Sequence, residues 1–269
     1  MNGLMSDLRT QLDQLLPLWA VCAYPEGLFL LRSRQAMIDN PRSVVVAAFP
    51  YLLPDEYYQG RNIARFAVPR DYHEVCGARL EQACEHLREI YPEDEFAHYC
   101  DHSPLPEVAL AEHAGLGKRG RHNLLITQRY GSWVVLGEIV TSAAIPIHNS
   151  KFTMHNCDAC PAPCVTACPT GALSGAGYDK AKCLSYLSQR KGGLDPEIAS
   201  HLRSARTAWG CDLCQEACTR NQNTAIEPLP EFLSSAIAML TPQTPFEDRA
   251  YVWRGRQALA RNIENLSKK

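Results

Sequence analysis

Long apolar runs are missing from this chain of 269 residues: no window approaches the roughly 18 apolar residues that a membrane-spanning helix needs. The start, Met1 to Leu8, has neither a basic leader nor an uninterrupted apolar stretch, so no secretory pattern is present and a cytoplasmic protein is expected. Charge of one sign is scarce as well. Lys and Arg number 27 against 29 Asp and Glu, a formal net charge of −2, which gives no general pull toward nucleic acid and leaves only local basic patches for such a role. The turn from Leu116 to Thr127 is punctuated by glycine but matches neither G-x-x-x-x-G-K-[ST] nor G-x-G-x-x-G, which argues against a P-loop or dinucleotide site.

What the chain has is cysteine, 12 in all, together with 46% apolar residues, enough for the core of one large domain or two moderate ones. Four thiols crowd into Cys157-Asp158-Ala159-Cys160-Pro161-Ala162-Pro163-Cys164-Val165-Thr166-Ala167-Cys168-Pro169. In the bacterial ferredoxin pattern, three closely spaced cysteines wrap one [4Fe–4S] cube and the fourth, followed by Pro, reaches a second cube. A second set exists in Cys183 and Cys211-Asp212-Leu213-Cys214-Gln215-Glu216-Ala217-Cys218. The crossed rule assigns Cys157, Cys160, Cys164 and Cys218 to one cluster, and Cys168, Cys183, Cys211 and Cys214 to the other. Three residues separate Cys160 from Cys164 where two are usual, so the loop there must bulge. Two zinc ions or a disulfide framework are the competing readings. Zinc does not require the Cys-Pro turn, and disulfides belong to secreted chains. Of the other cysteines, Cys76 and Cys84 lie on one helical stripe with Leu80, Leu87 and Ile90 and read as core thiols.

Leu8, Leu12, Leu15 and Leu16 recur at helical spacing, Trp19 to Ala23 reads as a strand, and Ser43 to Pro50 as a buried one. Asp71 can cap the helix carrying Cys76 to Ile90, while Tyr72 and His73 at its start could face a cofactor. Phe96 to Cys100 reads as a strand delivering Asp101, whose carboxylate is placed either for chemistry or for capping the helix that begins near Pro106. Val134 to Val140 is a further strand, and polar residues from His148 to Asn156 form a linker. After Pro228 and Pro230, helices are expected over Glu231 to Leu240 and Phe246 to Leu266, with Arg249, Arg254, Arg256 and Arg261 on a solvated face.

Several stretches together resemble the epoxyqueuosine reductase family, cobalamin-dependent iron–sulfur enzymes that finish queuosine synthesis in tRNA. They are Ala64-Arg65-Phe66-Ala67, Asp71-Tyr72-His73, Asp101 with Pro104 and Glu107, Ala114-Gly115-Leu116-Gly117, Asn123-Leu124-Leu125-Ile126, Tyr130-Gly131-Ser132-Trp133, Leu136-Gly137-Glu138-Ile139, Cys183-Leu184-Ser185-Tyr186-Leu187 and Gly210-Cys211-Asp212-Leu213-Cys214-Gln215. The resemblance implies an α+β chain: a cobalamin-binding domain over 1–147 akin to the nitroreductase-like fold, a ferredoxin-like domain with two [4Fe–4S] clusters over 148–228, and a helical extension over 229–269. It implies Asp101 as the catalytic aspartate, and Tyr72, His73, Asp101, Asn123 and Ser132 as cobalamin contacts. An acid suits the chemistry, because turning an epoxide into an alkene expels oxygen, and expelling it unprotonated is costly.

The chain departs from the family at Lys118-Arg119-Gly120-Arg121-His122, at Val108, at Thr219, and in stopping at Lys269 where many members continue into helical repeats that hold tRNA. The leading expectation is a reductase of epoxyqueuosine in tRNA, with weakened tRNA binding that leans on residues such as Arg254, Arg256 and Arg261. The alternatives are a reductase or dehalogenase of a small organic molecule, and an electron-transfer partner without a substrate. A monomer served by an external low-potential electron donor is expected, with no membrane role.

Overall fold

The computed structural model describes residues 2–25, 38–148 and 157–268; all of the linker expected from His148 to Asn156 except His148 lies outside them. Helix α1 (Asn2–Leu15) leads into strand β1 (Leu18–Ala23), and β2 (Ser43–Pro50) follows. Next come α2 (Tyr72–Ile90), β3 (Phe96–Cys100) and α3 (Glu107–His113), then the short pair β4 (Lys118–Arg119) and β5 (Leu125–Ile126), and β6 (Val134–Thr141). The four long strands form one antiparallel sheet in the order β1-β2-β6-β3.

Every residue of β2 is buried, as expected of a strand covered on both faces. Its alternate side chains serve two cores. Val45, Ala47 and Phe49 pack with α1 and α2 through Leu12, Leu16, Leu80 and Leu87, while Val44, Val46 and Ala48 pack with Leu110, Leu116 and Leu125 on the opposite face. The apolar stripe of α2, with Cys76 and Cys84 fully buried, supplies the first face. Asp71 caps α2 by accepting from the His73 backbone N–H at 3.0 Å.

The cysteine-bearing part holds α4 (Pro163–Thr166), the two-residue strands β7 (Leu173–Ser174) and β8 (Gly177–Tyr178), α5 (Leu184–Ser188), α6 (Pro196–Ser204) and α7 (Leu213–Glu216). Its Thr207–Gly210 stretch pairs with the first part: Ala208 N–H donates to Asn62 O and Ala64 N–H to Trp209 O at 2.8 Å. The chain then returns, and Leu229, Phe232, Leu240, Tyr251 and Leu259 join the core of α1 and α2. The helix expected over Glu231 to Leu240 is only the single turn α8 (Pro230–Leu233). Ser234 turns its hydroxyl back on Glu231 O, and Arg249 takes both the carbonyl and the hydroxyl of Ser235, which ends the helix there. The last helix, α9, starts at Arg256 and runs to Ser267. Its Asn262 holds the carbonyls of Ser188 and Ala208. Among the described residues no helix is long and apolar enough to cross a membrane.

Candidate active site and cluster-binding thiols

Asp101 follows the last residue of β3 and, with His102, takes a left-handed backbone at φ +55° and +57°. Successive left-handed non-glycine residues are strained and concentrate at functional sites. The carboxylate does not cap α3, whose N-cap is Pro106 with no side-chain cap bond. Instead Asp101 Oδ2 accepts from Tyr72 Oη at 3.1 Å and His73 Nε2 at 3.3 Å, and Oδ1 accepts from the His102 backbone N–H at 3.1 Å. The other ring nitrogen, His73 Nδ1, lies 2.6 Å from Asp71 Oδ1. An imidazole whose two nitrogens both face carboxylate oxygens is held as the imidazolium. Burial lowers the His73 pKa, but the hydrogen bonds that its ring donates to Asp101 and Asp71 outweigh it and lift the value to about 10. Its bond to His73 holds Asp101 well below the usual carboxylate range. Tyr72 stacks on His73 with centroids 4.0 Å apart. The two side chains at the start of α2 therefore build the aspartate's surroundings.

Tyr72 also lines a cleft of about 310 Å³, near the lower bound for ligand pockets. Its lining includes Asn123, Leu124, Ser132, Val134 and Val135 together with Cys168, Cys183, Cys211 and Cys214. The structure thus gathers Tyr72, Asn123 and Ser132 at the cleft, with Asp101 hydrogen-bonded to Tyr72 and His73 stacked on it, both outside the lining. A largely apolar lining with a few polar side chains, Asn123 and Tyr72 among them, is what a cofactor site presents. The Ser132 hydroxyl is already engaged, accepting from Gln215 Nε2 at 3.1 Å and from Asn221 Nδ2 at 2.8 Å. Gln215 bridges further to Tyr51 Oη and Ser132 O, so Ser132 is where the second cysteine loop docks on the sheet.

Gly131 permits that docking. It sits at φ +56°, and a Cβ there would strike Asn221 Oδ1 and come within 2.8 Å of Thr224 Cγ2. Gly131→Ala is expected to cost about 2 to 5 kcal/mol, the sum of left-handed strain and overpacking. A lowered Tm with early loss of the second cluster's absorption would register it; an unchanged Tm would show that the dock yields freely.

The thiols fall into two groups in space. Cys157, Cys160, Cys164 and Cys218 line one cavity, and Cys168, Cys183, Cys211 and Cys214 share the cleft wall. Ala162, at φ +57°, absorbs the extra residue between Cys160 and Cys164 in a left-handed bulge. All 12 cysteines stand as free thiols. Burial pushes the Cys211 thiol up to about 12 and Cys214 higher still, with neighbouring thiols adding to it. Two such thiols ionise side by side only against strong positive charge, which is what an iron cluster supplies. Asp212, between them, accepts from Arg61 Nη1 at 3.2 Å and from the Arg65 backbone N–H at 2.7 Å. Burial raises its pKa to about 6 against the pull of Arg61, so it is ionised at neutral pH and clamps the cysteine loop to the first part.

Three features lie beyond the sequence reading. His122 belongs to the wall of both cavities, Gln215 and Asn221 make the dock, and Glu138 is fully buried, its pKa raised well above normal by burial and by Glu107. Gln215 and Glu138 stood within stretches that carry the resemblance and His122 within the turn that departs from it, but without a role for any of the three, and Asn221 had no trace. The arginine face also differs from expectation. Arg249 is buried and donates to the Val68 and Pro69 carbonyls, and Arg261 is spent on the carbonyls of Ser188, Arg190 and Gly192. Arg256 remains exposed, 3.7 Å from Glu247, and Arg254 lies over the Trp253 ring.

Residues 156–221 match the 4Fe-4S double cluster binding domain, and residues 32–102 match the family described as Epoxyqueuosine reductase QueG, DUF1730. An epoxyqueuosine reductase of Listeria monocytogenes is 34% identical over 259 residues, covering 89% of this chain. The chain spans 65% of that relative's length. The crystal structure of epoxyqueuosine reductase with a tRNA-Tyr epoxyqueuosine-modified stem loop superposes with a TM-score of 0.79 at 23% identity, over 98% of this chain and 81% of that one. A reductive dehalogenase whose structure suggests a mechanism for B12-dependent dehalogenation superposes at 0.57 and 15% identity, over 81% and 32%. The mixed helix and sheet fold with a double-cluster domain is common ground with the first of these structures.

Proposed function

The chain belongs to the epoxyqueuosine reductase family, and from that premise we propose that it is a cobalamin- and iron–sulfur-dependent reductase that converts epoxyqueuosine in tRNA to queuosine. One observation carries the reading: a single cleft is lined both by four cysteines and by a tyrosine hydrogen-bonded to a strained aspartate. Relatives named for this activity, one of them solved with the modified stem loop, support it.

The reaction balances as epoxide plus two electrons and two protons giving alkene and water. When bound, cobalamin supplies the reactive metal and the two clusters supply its electrons one at a time from an external low-potential donor. The rest falls to side chains. Cys168, Cys183, Cys211 and Cys214 would hold the cluster beside the cleft, and Cys157, Cys160, Cys164 and Cys218 the outer one. Tyr72, Asn123 and the Ser132 backbone region would edge the corrin, with residues 1–147 forming its domain. Asp101 would pass a proton to the departing oxygen. Because Asp101 rests as a carboxylate, the stored proton is that of His73, one hydrogen bond away.

The likeness to a reductive dehalogenase gives the second reading, a small organic substrate on the same cofactors. Anaerobic turnover decides between them: the epoxyqueuosine-modified stem loop should be reduced, and small epoxides and aryl halides should not. The reverse pattern would favour the second reading, and cluster redox activity with no substrate turned over would leave an electron-transfer protein. RNA binding should weaken steeply with salt, by about 0.7 to 0.9 log units in affinity per log unit of salt for each phosphate contacted. With Arg249 and Arg261 occupied, Arg254 and Arg256 are the contacts expected to set that slope, and a salt-insensitive complex would place the RNA elsewhere.

A further inference from the structure

His122 sits in the turn between β4 and β5, closed by Asn123 N–H donating to Gly120 O and Gly120 N–H to Leu124 O, both at 2.9 Å. The ring is 4% exposed. The Leu124 backbone N–H donates to its Nδ1 at 3.3 Å. That bond makes Nδ1 the acceptor and leaves the proton on Nε2. Among the described residues this buried Nε2 has no hydrogen-bond partner. Buried donors are paired almost without exception in folded proteins, and one left unpaired points to a ligand. The ring also lines the cavity of Cys157, Cys160, Cys164 and Cys218, where a cluster would bring sulfur acceptors.

Building on the two-cluster reading, we propose that His122 Nε2–H donates a hydrogen bond to a sulfur of the outer [4Fe–4S] cluster and thereby sets its reduction potential. The physical basis is charge. Reduction adds an electron to the cluster, so a donor dipole aimed at its sulfur stabilises the reduced form more than the oxidised form and raises the potential. The residue is a positioning and tuning residue, not a catalytic one, and it lets the outer cluster accept an electron more easily.

The test is an anaerobic redox titration followed by EPR, on the full reconstituted chain and on His122→Phe and His122→Gln. The iron count is read first: about eight irons in the unaltered chain uphold the two-cluster reading, and about four would fail it independently of this proposal. In His122→Phe, which keeps bulk but removes the donor, the outer cluster is expected to be about tenfold harder to reduce, a downward shift of about 59 mV for one electron. The inner cluster should be unmoved, and Gln, which restores a donor, should recover part of the shift. An unmoved outer cluster, or a shift of the inner one, would overturn the proposal. Should His122→Phe fail to assemble, the unaltered protein still decides: with ¹⁵N-histidine, the reduced outer cluster should show a nitrogen coupling and an exchangeable proton, and their absence would overturn it.

Discussion

Asp101→Asn is expected to fold, bind eight irons and take up cobalamin, yet turn over its substrate about 10²-fold or more slowly, the usual scale for losing a general acid. Asn keeps one oxygen that can accept from the His102 N–H, and its amide NH2 can donate to Tyr72 Oη, so the strained turn at φ +55° and +57° keeps partners for its local bonds. What it loses is the negative charge facing His73 and the capacity to relay a proton. The capping alternative predicts no rate change, and the structure already weakens it, since none of the Asp101 bonds reaches α3. Near-normal turnover by the variant would remove Asp101 from the mechanism. The cobalamin spectrum should be recorded alongside, because a carboxylate near the metal can alter its ligation as well as deliver protons.

The same pair gives a pH signature. His73 titrates near 10 in the fold against an ordinary 6.5, so its proton is retained through neutrality and lost as the pH climbs through about 10. The stability it contributes is complete below 6.5 and fades over that same interval. Asp101, depressed from 3.8, contributes above that value and loses its share only in strong acid. Turnover should therefore hold level across neutral pH and fall on an alkaline limb, and Asp101→Asn should move that limb to lower pH by removing one of the two carboxylates that hold the proton.

How much of this was legible beforehand depended on whether the signal was local. The cysteine spacing gives the two quartets because a cube needs four thiolates and the Cys-Pro turn sends one ligand away. The α2 stripe and its Asp71 cap follow from helical period and an unpaired backbone N–H. The strand order β1-β2-β6-β3 could not be read, since β2 pairs with a strand some ninety residues on and nothing in either run names its partner. Arg249 looked like a surface charge because sequence does not show that Ser235 and two carbonyls wait for it in the interior. His122 was passed over because its distinction is a missing partner, visible only once the surrounding shell is known. Tyr72 and His73 stood out only as side chains at a helix start that could face a cofactor, and the contact both make with Asp101 needed the fold to bring β3 beside that start.

Cys218→Ala should halve the iron, from about eight to about four per chain, and the iron lost should be that of the outer cluster. Sequence proximity alone suggests otherwise, because Cys218 is four residues beyond Cys214 and would be grouped with it. The short helix α7 intervenes: after Leu213–Glu216 the chain turns with Cys218 N–H donating to Gln215 O at 3.1 Å, which carries the last thiol into the cavity of Cys157, Cys160 and Cys164. Cys183→Ala should do the reverse and remove the cluster at the cleft. The two variants should then differ in function. With a chemical reductant kept in excess, Cys218→Ala retains a cluster beside the cleft that can be refilled and pass the two electrons in turn, and it should support turnover, whereas Cys183→Ala has no cluster beside the cleft and should support none. If Cys218→Ala instead stripped the inner cluster and spared the outer one, the crossed assignment would fall, and with it the order in which electrons reach the cleft.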